Sequence, residues 1–207
     1  MDTPAPIATA VAQHVLCLAS ASPRRRELLA QIGVSHTVWP ATLDEEALSG
    51  EAPRDYVQRL ARAKALCVWN RRQDLPVLAA DTVVVLGSAL YGKPRDRSDA
   101  LEMLAALSGR THEVLTAVAL ATREGVAAAL SVSSVHLRAT SAAERAAYWQ
   151  TGEPRDKAGG YAIQGLGAVF VEALHGSYSG VMGLPLFETA QLLRAARVPC
   201  WQRPAAG

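Results

Sequence analysis

The most apolar stretch of the chain, residues 77–86, contains one carboxylate, Asp81, with four apolar residues before it and four more after Thr82. An ionised carboxylate that leaves water without a partner either shifts its pKa or requires a cation. Aspartate is seldom fully buried unless it is paired. The stretch therefore predicts a strand that carries a functional site. The alternative is a core aspartate bonded only by backbone N–H groups.

The composition is typical of one globular domain with nearly balanced charge. Half of the 207 residues are apolar and 19% are charged, with 21 Lys and Arg against 19 Asp and Glu. This length is sufficient for one sizeable core. We expect a disordered leader over residues 1–13, a single domain over 14–200 and a tail over 201–207. The charge balance argues against the broad basic surface of nucleic-acid-binding proteins.

The cysteines and the N-terminus indicate the compartment. Cys17, Cys67 and Cys200 are far apart and form no Cys-x-x-Cys pair of the kind that binds zinc or supports redox chemistry. A reducing cytosol fits them best. The N-terminal residues lack the cationic region of a signal peptide, and no apolar run reaches the roughly 18–20 residues that span a bilayer. We expect a soluble cytoplasmic protein with no membrane partner.

Strand and helix patterns alternate in the first half of the chain, and a hairpin follows. Ser22 and Pro23 suit the N-cap and N1 positions of a helix, and residues 141–144 form a capping box. This order predicts an α/β fold with a mixed sheet. The expected strands are residues 15–19, 77–86, 114–122 and 126–138, and the expected helices are 23–32, 53–69, 98–107, 141–150 and 185–197.

Three arginines, residues 24–26, lie in the first turn of the first predicted helix, where the helix dipole makes each cation unfavourable by ~0.3–1 kcal/mol. A bound anion would offset that cost. A turn containing Ser20 and Ser22 ahead of free helix N–H groups and guanidinium groups is typical of a phosphate site, with Arg24 and Arg25 as ligands. The alternative is a solvated arginine run on a surface helix.

A lysine occupies the apolar face of the second predicted helix. In projection Lys64 falls among Leu60, Ala61 and Val68, which should face the core. Its amine must extend to solvent or meet an anion. A pocket shared by Lys64, Asp81 and the arginine turn explains these features together, whereas extension to solvent is the alternative.

Two further segments supply candidate ligands for a metal and for phosphate. Glu45 lies in an acidic loop, and hard oxygen ligands beside a phosphate site suit Mg²⁺ or Mn²⁺, although such a cluster can be merely solvated. Residues 87–94 nearly spell a P-loop, but Pro94 replaces the hydroxyl residue and no helix begins there. Lys93 is therefore either a phosphate contact or an exposed turn lysine.

Residues 152–167 are the richest in glycine, which indicates backbone running close to a ligand. Within this segment the Gln164 amide both donates and accepts, as reading a base edge requires. A flexible hairpin explains the composition equally well. The five histidines show no metal-ligand spacing, and we expect each to be structural or exposed.

Together these motifs resemble the Maf family of nucleoside triphosphate pyrophosphatases over about residues 16–194. No single motif is specific, but several in a fixed order are. The motifs in chain order are ASASPRR from Ala19, RxAxxKA from Arg59, ADTVV from Ala80, Gly92-Lys93-Pro94, LSGxxH from Leu107, DKAG from Asp156, YxIQG from Tyr161 and Gly183-Leu184-Pro185.

The resemblance implies a Maf/Ham1 (ITPase-like) fold: a mixed twisted sheet with helices on both sides and a cleft between two lobes, usually in a homodimer. It also implies a catalytic domain that cleaves a nucleoside triphosphate to the monophosphate and pyrophosphate with a divalent cation, Mg²⁺ or Mn²⁺. Asp81 matches the proton acceptor, and Glu45 and Asp81 match the metal site. The positions for substrate choice in the branch acting on dTTP and UTP are Arg24, Thr82 and Gln164. The phosphate-binding positions are Ser20, Ser22, Arg24, Arg25, Lys64, Lys93 and Lys157.

The implied reaction is in-line attack of water on the α-phosphate, with Asp81 as proton acceptor, in a role of nucleotide-pool house-cleaning that can include modified pyrimidine triphosphates. Two alternatives stay open. The family is also associated with inhibition of cell division, so one alternative is a non-catalytic septation regulator. The other is a purine-directed pyrophosphatase acting on 7-methyl-GTP, although that branch lacks the pattern of residues 163–165.

Overall fold

The computed structural model describes residues 14–202, and the predicted leader over 1–13 lies outside them, as do residues 203–207 of the predicted tail. The division into leader, domain and tail stays a prediction. The strands within the described range are β1 (Leu16–Leu18), β2 (His36–Val38), β3 (Val77–Leu86), β4 (Ala89–Tyr91), β5 (Thr111–Thr122), β6 (Gly125–Leu137) and β7 (Val171–His175). The α-helices are α1 (Pro23–Gln31), α2 (Pro53–Trp69), α3 (Arg97–Leu107), α4 (Ala142–Gln150), α5 (Tyr178–Met182) and α6 (Leu186–Ala195).

The strands form one mixed sheet in the order β2-β1-β3-β5-β6-β7, with β4 paired to β3 outside this path. β1 is parallel to β2 and β3, whereas the other pairs are antiparallel. The predicted α/β fold with a mixed sheet is confirmed. None of the helices in the described part of the chain is long and apolar enough to cross a membrane.

The sheet has a break along one edge of β3. β1 pairs with this edge at Val77 and Leu78, and β4 pairs with it only from Val84 onward, while β5 lines the opposite edge of β3 continuously. Between these points, residues 79–83 have β5 as their only strand neighbour among the residues described. The break is a gap in the middle of a buried sheet, with Asp81 at its centre.

Side chains alternate between the two faces of β3, because successive residues of a strand point to opposite sides. The odd-numbered apolar residues pack with α2 in one cluster. On the other face, Leu78 and Ala80 pack with α1 and α6, whereas Val84 packs with α3 and α4. Helices thus cover both faces, as predicted, and the second face carries two separate apolar clusters with Thr82 between them.

Local sequence signals place most of the longer elements within a few residues of their observed bounds. Ser141 and Glu144 form the predicted capping box of α4, and α1 and α2 each begin with proline. The sequence did not predict β2, β7 and α5, because segments of three to five residues are too short for a periodic pattern. The glycine-rich residues 152–167 form no hairpin; they contain 3-10 turns at Glu153–Asp156 and Ala158–Gly160.

Candidate active site

A cleft of about 690 Å³ opens at the break in the sheet, a size typical of a pocket for a small molecule. It reaches both faces of the sheet, because no strand of the described residues covers that edge of β3. Every residue that the sequence singled out as a candidate lines this cleft: Ser20, Ser22, Arg24, Arg25, Glu45, Lys64, Asp81, Thr82, Lys93, Lys157 and Gln164. The fold thus brings them together, while their roles stay predictions.

On the α2 face, Asp81 meets a lysine rather than backbone amides. Lys64 Nζ donates to Asp81 Oδ1 at 2.6 Å and lies 2.9 Å from Glu45 Oε1. The side chains of Lys64 and Asp81 are each 10% exposed, whereas that of Glu45 is 54% exposed. Lys64 therefore does not extend to solvent; its ammonium group binds one buried and one accessible carboxylate.

Burial raises the pKa of Asp81 above its ordinary value, while the charges of Lys64 and Arg25 act in the opposite direction. A carboxylate whose desolvation outweighs its cationic neighbours is a better proton acceptor than an exposed aspartate. Asp81 therefore combines a position at the cleft with raised basicity.

The loop that carries Glu45 is fixed by the first turns of α2. Tyr56 Oη donates to the carbonyl oxygen of Glu45 at 3.0 Å. Arg59 Nη2 donates to the carbonyl of Glu46 at 3.0 Å, and its guanidinium makes two bonds of 2.6 and 2.7 Å to the carboxylate of Glu51. Sequence reasoning assigned Arg59 no role, although Arg59 stands in the same motif as Lys64. The structure shows that Arg59 holds the loop that brings Glu45 to the lysine.

The donor set of Glu45 and Asp81 fits a divalent cation of the Mg²⁺ type. Both carboxylates already share one positive charge, the Lys64 ammonium, and Mg²⁺ is usually bound by one or two carboxylates together with water and substrate phosphates. Within residues 14–202, no three His, Cys, Asp or Glu side chains are grouped to hold a metal by themselves. The site fits a cation that the substrate helps to bind.

On the opposite face, Arg25 spans the cleft with neutral partners. Its Nε donates to Gly183 O at 2.8 Å, Nη1 to Ser20 Oγ at 3.2 Å and Nη2 to Thr82 Oγ1 at 3.3 Å. Thr82 Oγ1 also accepts from Thr116 Oγ1 at 3.0 Å. Burial lowers the pKa of Arg25, yet an arginine stays protonated in a protein. Its charge is positioned by three neutral groups and is available to an anion.

Arg24 and Lys157 share an acid that sequence reasoning missed. Arg24 Nη1 lies 3.0 Å from Asp156 Oδ2, and Lys157 Nζ contacts the other oxygen of the same carboxylate. Burial raises the pKa of Asp156, but the charges and hydrogen bonds of Lys157 and Arg24 outweigh it and hold that pKa below its usual value. The signal was the Asp156-Lys157 motif itself, in which only Lys157 was predicted to contact a ligand.

The start of α1 leaves donors open to the cleft. Ser22 is the N-cap residue, but its side chain makes no capping hydrogen bond, and its own N–H donates to Ser20 Oγ at 3.2 Å. Uncapped N–H groups and the positive end of a helix dipole favour a negatively charged ligand. Lys93, which is exposed on the rim and forms no ion pair in the described part of the chain, adds a further cation.

Tyr161 and Gln164 also line the cleft. Tyr161 is 5% exposed, and its hydroxyl bonds to Nε2 of the buried His112 at 2.8 Å. Burial lowers the pKa of His112 to about 4, so that its imidazole is neutral at pH 7. Gln164 is exposed, next to the buried Ile163. The cleft thus brings together an amide, several cations and a pair of carboxylates.

Comparisons with known proteins identify the family of the chain. A family model described as "Maf-like protein" matches residues 15–196. A protein of Saccharophagus degradans named dTTP/UTP pyrophosphatase is 55% identical over 194 residues, covering 92% of this chain and 92% of the relative. A Methylobacillus flagellatus protein of the same name is 55% identical over 179 residues, covering 86% and 90%. The solved Ham1 protein of Staphylococcus aureus covers 88% of this chain and 97% of its own, at 11% identity and a TM-score of 0.49. By the family match and the identity of these relatives, the chain belongs to the Maf-like family.

Proposed function

We propose that this protein hydrolyses pyrimidine nucleoside triphosphates, dTTP and UTP, to the monophosphate and pyrophosphate, in a nucleotide house-cleaning role that extends to modified pyrimidine triphosphates. One observation supports this most directly: a buried acid of raised basicity, Asp81, lines one cleft together with several arginine and lysine side chains. Relatives that are 55% identical over most of both chains carry the name dTTP/UTP pyrophosphatase.

Different cations of the cleft are assigned to different parts of the substrate. Arg25, fixed by three neutral partners, and the open start of α1 suit the phosphate nearest the reacting bond. Lys93 and Lys157 suit the outgoing pyrophosphate, whose extra negative charge needs cations in the transition state. Arg24, Thr82 and Gln164 are proposed to select the nucleoside.

The two carboxylates have separate proposed tasks: Asp81 would accept the proton, and Asp81 and Glu45 together would hold the cation. Asp81 accepts the proton of the attacking water, as its burial and position at the break in the sheet permit. Glu45 and Asp81 are the proposed ligands of Mg²⁺ or Mn²⁺, which when bound neutralises phosphate charge and lowers the pKa of water. Lys64 keeps the two carboxylates close together between turnovers.

The finer parts of the proposal concern assembly and location. We propose a homodimer, which the family resemblance implies, and a cytoplasmic location. The free thiols of Cys17, Cys67 and Cys200 agree with a reducing compartment. Sedimentation of the purified protein tests the dimer.

The test of the activity is pyrophosphate release from dTTP, UTP, dATP and 7-methyl-GTP by the purified protein with Mg²⁺ or Mn²⁺. We expect release with dTTP and UTP, and no phosphate signal until inorganic pyrophosphatase is added. Asp81→Asn should lower turnover by about 10²–10⁴-fold, the usual contribution of a general base, while the protein stays folded. Release from 7-methyl-GTP alone would favour the purine-directed alternative, and no release from any nucleotide would favour the non-catalytic regulator.

A further inference from the structure

The segment that presents Gln164 is irregular backbone held by two side chains outside the cleft lining. Ala162 N donates to Tyr148 Oη at 3.1 Å, before Gln164. Leu166 N and Gly167 N donate to the two oxygens of Glu153, each at 2.9 Å, after it. Tyr148 Oη in turn donates to Glu153 Oε2 at 2.6 Å. One phenol and one carboxylate thus fix the segment on both sides of Gln164.

The electrostatic state of these two side chains suits that task. Burial raises the pKa of Glu153, but the bonds from Tyr148, Gly167 and Leu166 outweigh it and hold the pKa below its usual value. Burial and the adjacent Glu153 carboxylate raise the pKa of Tyr148. Glu153 is therefore ionised and acts only as a hydrogen-bond acceptor. The Tyr148 hydroxyl stays protonated and donates a hydrogen bond to Glu153.

The backbone of the segment lies directly on the two side chains. A Cβ atom on Gly165 would be 1.9 Å from Glu153 Oε1, and one on Gly167 would be 2.5 Å from Tyr148 Oη. Heavy atoms cannot approach that closely, so a side chain at either position would displace the Glu153 carboxylate or the Tyr148 phenol from the segment. With Ile163 buried and Gln164 exposed, the contact leaves the Gln164 side chain directed away from the core and into the lining of the cleft.

Glu153 is connected to the phosphate side of the cleft as well. Lys157 Nζ donates to the carbonyl oxygen of Glu153 at 3.3 Å, four residues along the same turn. The position of Glu153 is thereby linked both to a cation of the cleft and to the segment that carries Gln164.

We propose that Tyr148 and Glu153 form a positioning pair that sets the nucleobase selectivity of the cleft by holding Gln164 in place. The proposal rests on the nucleotide-binding role argued above. It concerns positioning, because neither side chain lines the cleft. A purely structural role predicts lost stability with unchanged selectivity, whereas positioning predicts changed selectivity.

The test compares affinities for dTTP and 7-methyl-GTP by calorimetry, in the Asp81→Asn background so that the nucleotides stay intact. We expect Glu153→Gln to lower the ratio of the two affinities by about tenfold, which corresponds to one hydrogen bond involving a charged group. The amide that this substitution introduces would present donors to main-chain N–H groups. Tyr148→Phe, which loses the bond to Ala162, should act in the same direction, and it serves as the test if the first variant does not fold.

A matched control is Glu144→Gln. Glu144 also accepts from a backbone N–H, that of Ser141, and pairs with Arg138 at 2.7 Å, but it is not part of the cleft lining. This control should lower the melting temperature without changing the affinity ratio. In a Gln164→Ala background, Glu153→Gln should change the ratio no further, because both substitutions act on one group.

The proposal is wrong if Glu153→Gln and Tyr148→Phe leave the ratio unchanged, or if the effects of Glu153→Gln and Gln164→Ala simply add. Pyrophosphate release by the unsubstituted protein reports separately on the proposed activity. If the protein binds nucleotides selectively, and the positioning pair controls that selectivity, but no hydrolysis is seen, this inference holds and the proposed activity is wrong. Absence of any triphosphate binding would overturn both.

Discussion

Replacing Lys64 by methionine should destabilise the protein strongly, because the substitution leaves Asp81 buried without its nearest cation. Lys64 Nζ is 2.6 Å from Asp81 Oδ1, and both side chains are 10% exposed. Removal of one partner from a buried ion pair typically costs about 3–5 kcal/mol. For a chain of this length, this corresponds to a fall of about 6–20 °C in melting temperature. Methionine keeps most of the volume of the lysine stem, so that packing changes little.

The loss of stability in the Lys64→Met variant should depend on pH in a defined direction. Burial already raises the pKa of Asp81, and Lys64 opposes that shift, so the Lys64→Met variant raises the pKa further. Between the ordinary aspartate pKa near 4 and the raised value, the folded variant binds a proton that the unfolded chain does not. Its free energy of unfolding therefore falls as pH rises through this window. The difference in free energy of unfolding between Lys64→Met and the unsubstituted protein should be small near pH 4. It should reach its largest value above the raised pKa of Asp81.

The measurement is urea unfolding at several pH values between 4 and 8 for Lys64→Met, Asp81→Asn and the double variant. Asp81→Asn should cost less than Lys64→Met, because Lys64 retains Glu45 at 2.9 Å. The double variant should be more stable than Lys64→Met, since no unpaired charge remains. Equal stability of Lys64→Met and the unsubstituted protein at pH 7.5, or a loss of stability that does not vary with pH, would contradict a buried ion pair between Lys64 and Asp81.

Three further predictions concern residues that line the cleft or bond to its lining. Arg25→Lys loses at least two of three hydrogen bonds, at about 1 kcal/mol each, and should lower the melting temperature by about 4–8 °C; an unchanged melting curve would contradict this. His112 has its pKa lowered to about 4, so the unfolded chain takes up a proton more readily below about pH 6.5, and stability falls as the pH is lowered. From pH 7 to pH 5 this loss is about 2 kcal/mol, and denaturant unfolding of His112→Gln should lack it. Asp156→Asn frees Arg24 and Lys157 from a competing carboxylate and should lower the KM for the triphosphate about two- to fivefold, as expected for an accessible ion pair; a raised KM would give Asp156 a binding role instead.

The sequence was most informative where a residue conflicts with its local pattern. Asp81 within an apolar strand and Lys64 on the apolar face of a helix were each anomalous, and the structure pairs them at 2.6 Å. The arginine turn, with cations at the positive end of a helix, predicted an anion site, and the cleft lies there. The anion site stays a prediction, whereas the pairing of Asp81 with Lys64 was foreseeable because the cost of burying a charge depends on the residue and its immediate pattern.

Predictions failed where a partner lies far away along the chain. Asp156 pairs with Arg24 across 132 positions, and nothing near Arg24 in the sequence indicates this. Glu153 was counted within a glycine-rich turn, although its carboxylate organises the segment around Gln164. Such contacts arise from the path of the whole chain, which local periodicity does not describe.

Sequence alone establishes which side chains are present, most of the longer helices and strands, and the need of a buried acid for a cation. The interruption of the sheet between β1 and β4 is visible only in the folded chain. Asp81 and Thr82 are adjacent and therefore point to opposite faces, which an intact sheet would keep apart. Because the edge of β3 is open between its two strand neighbours, both side chains line one cleft. Strand pairing is a non-local choice, and it turns two separate faces into one site.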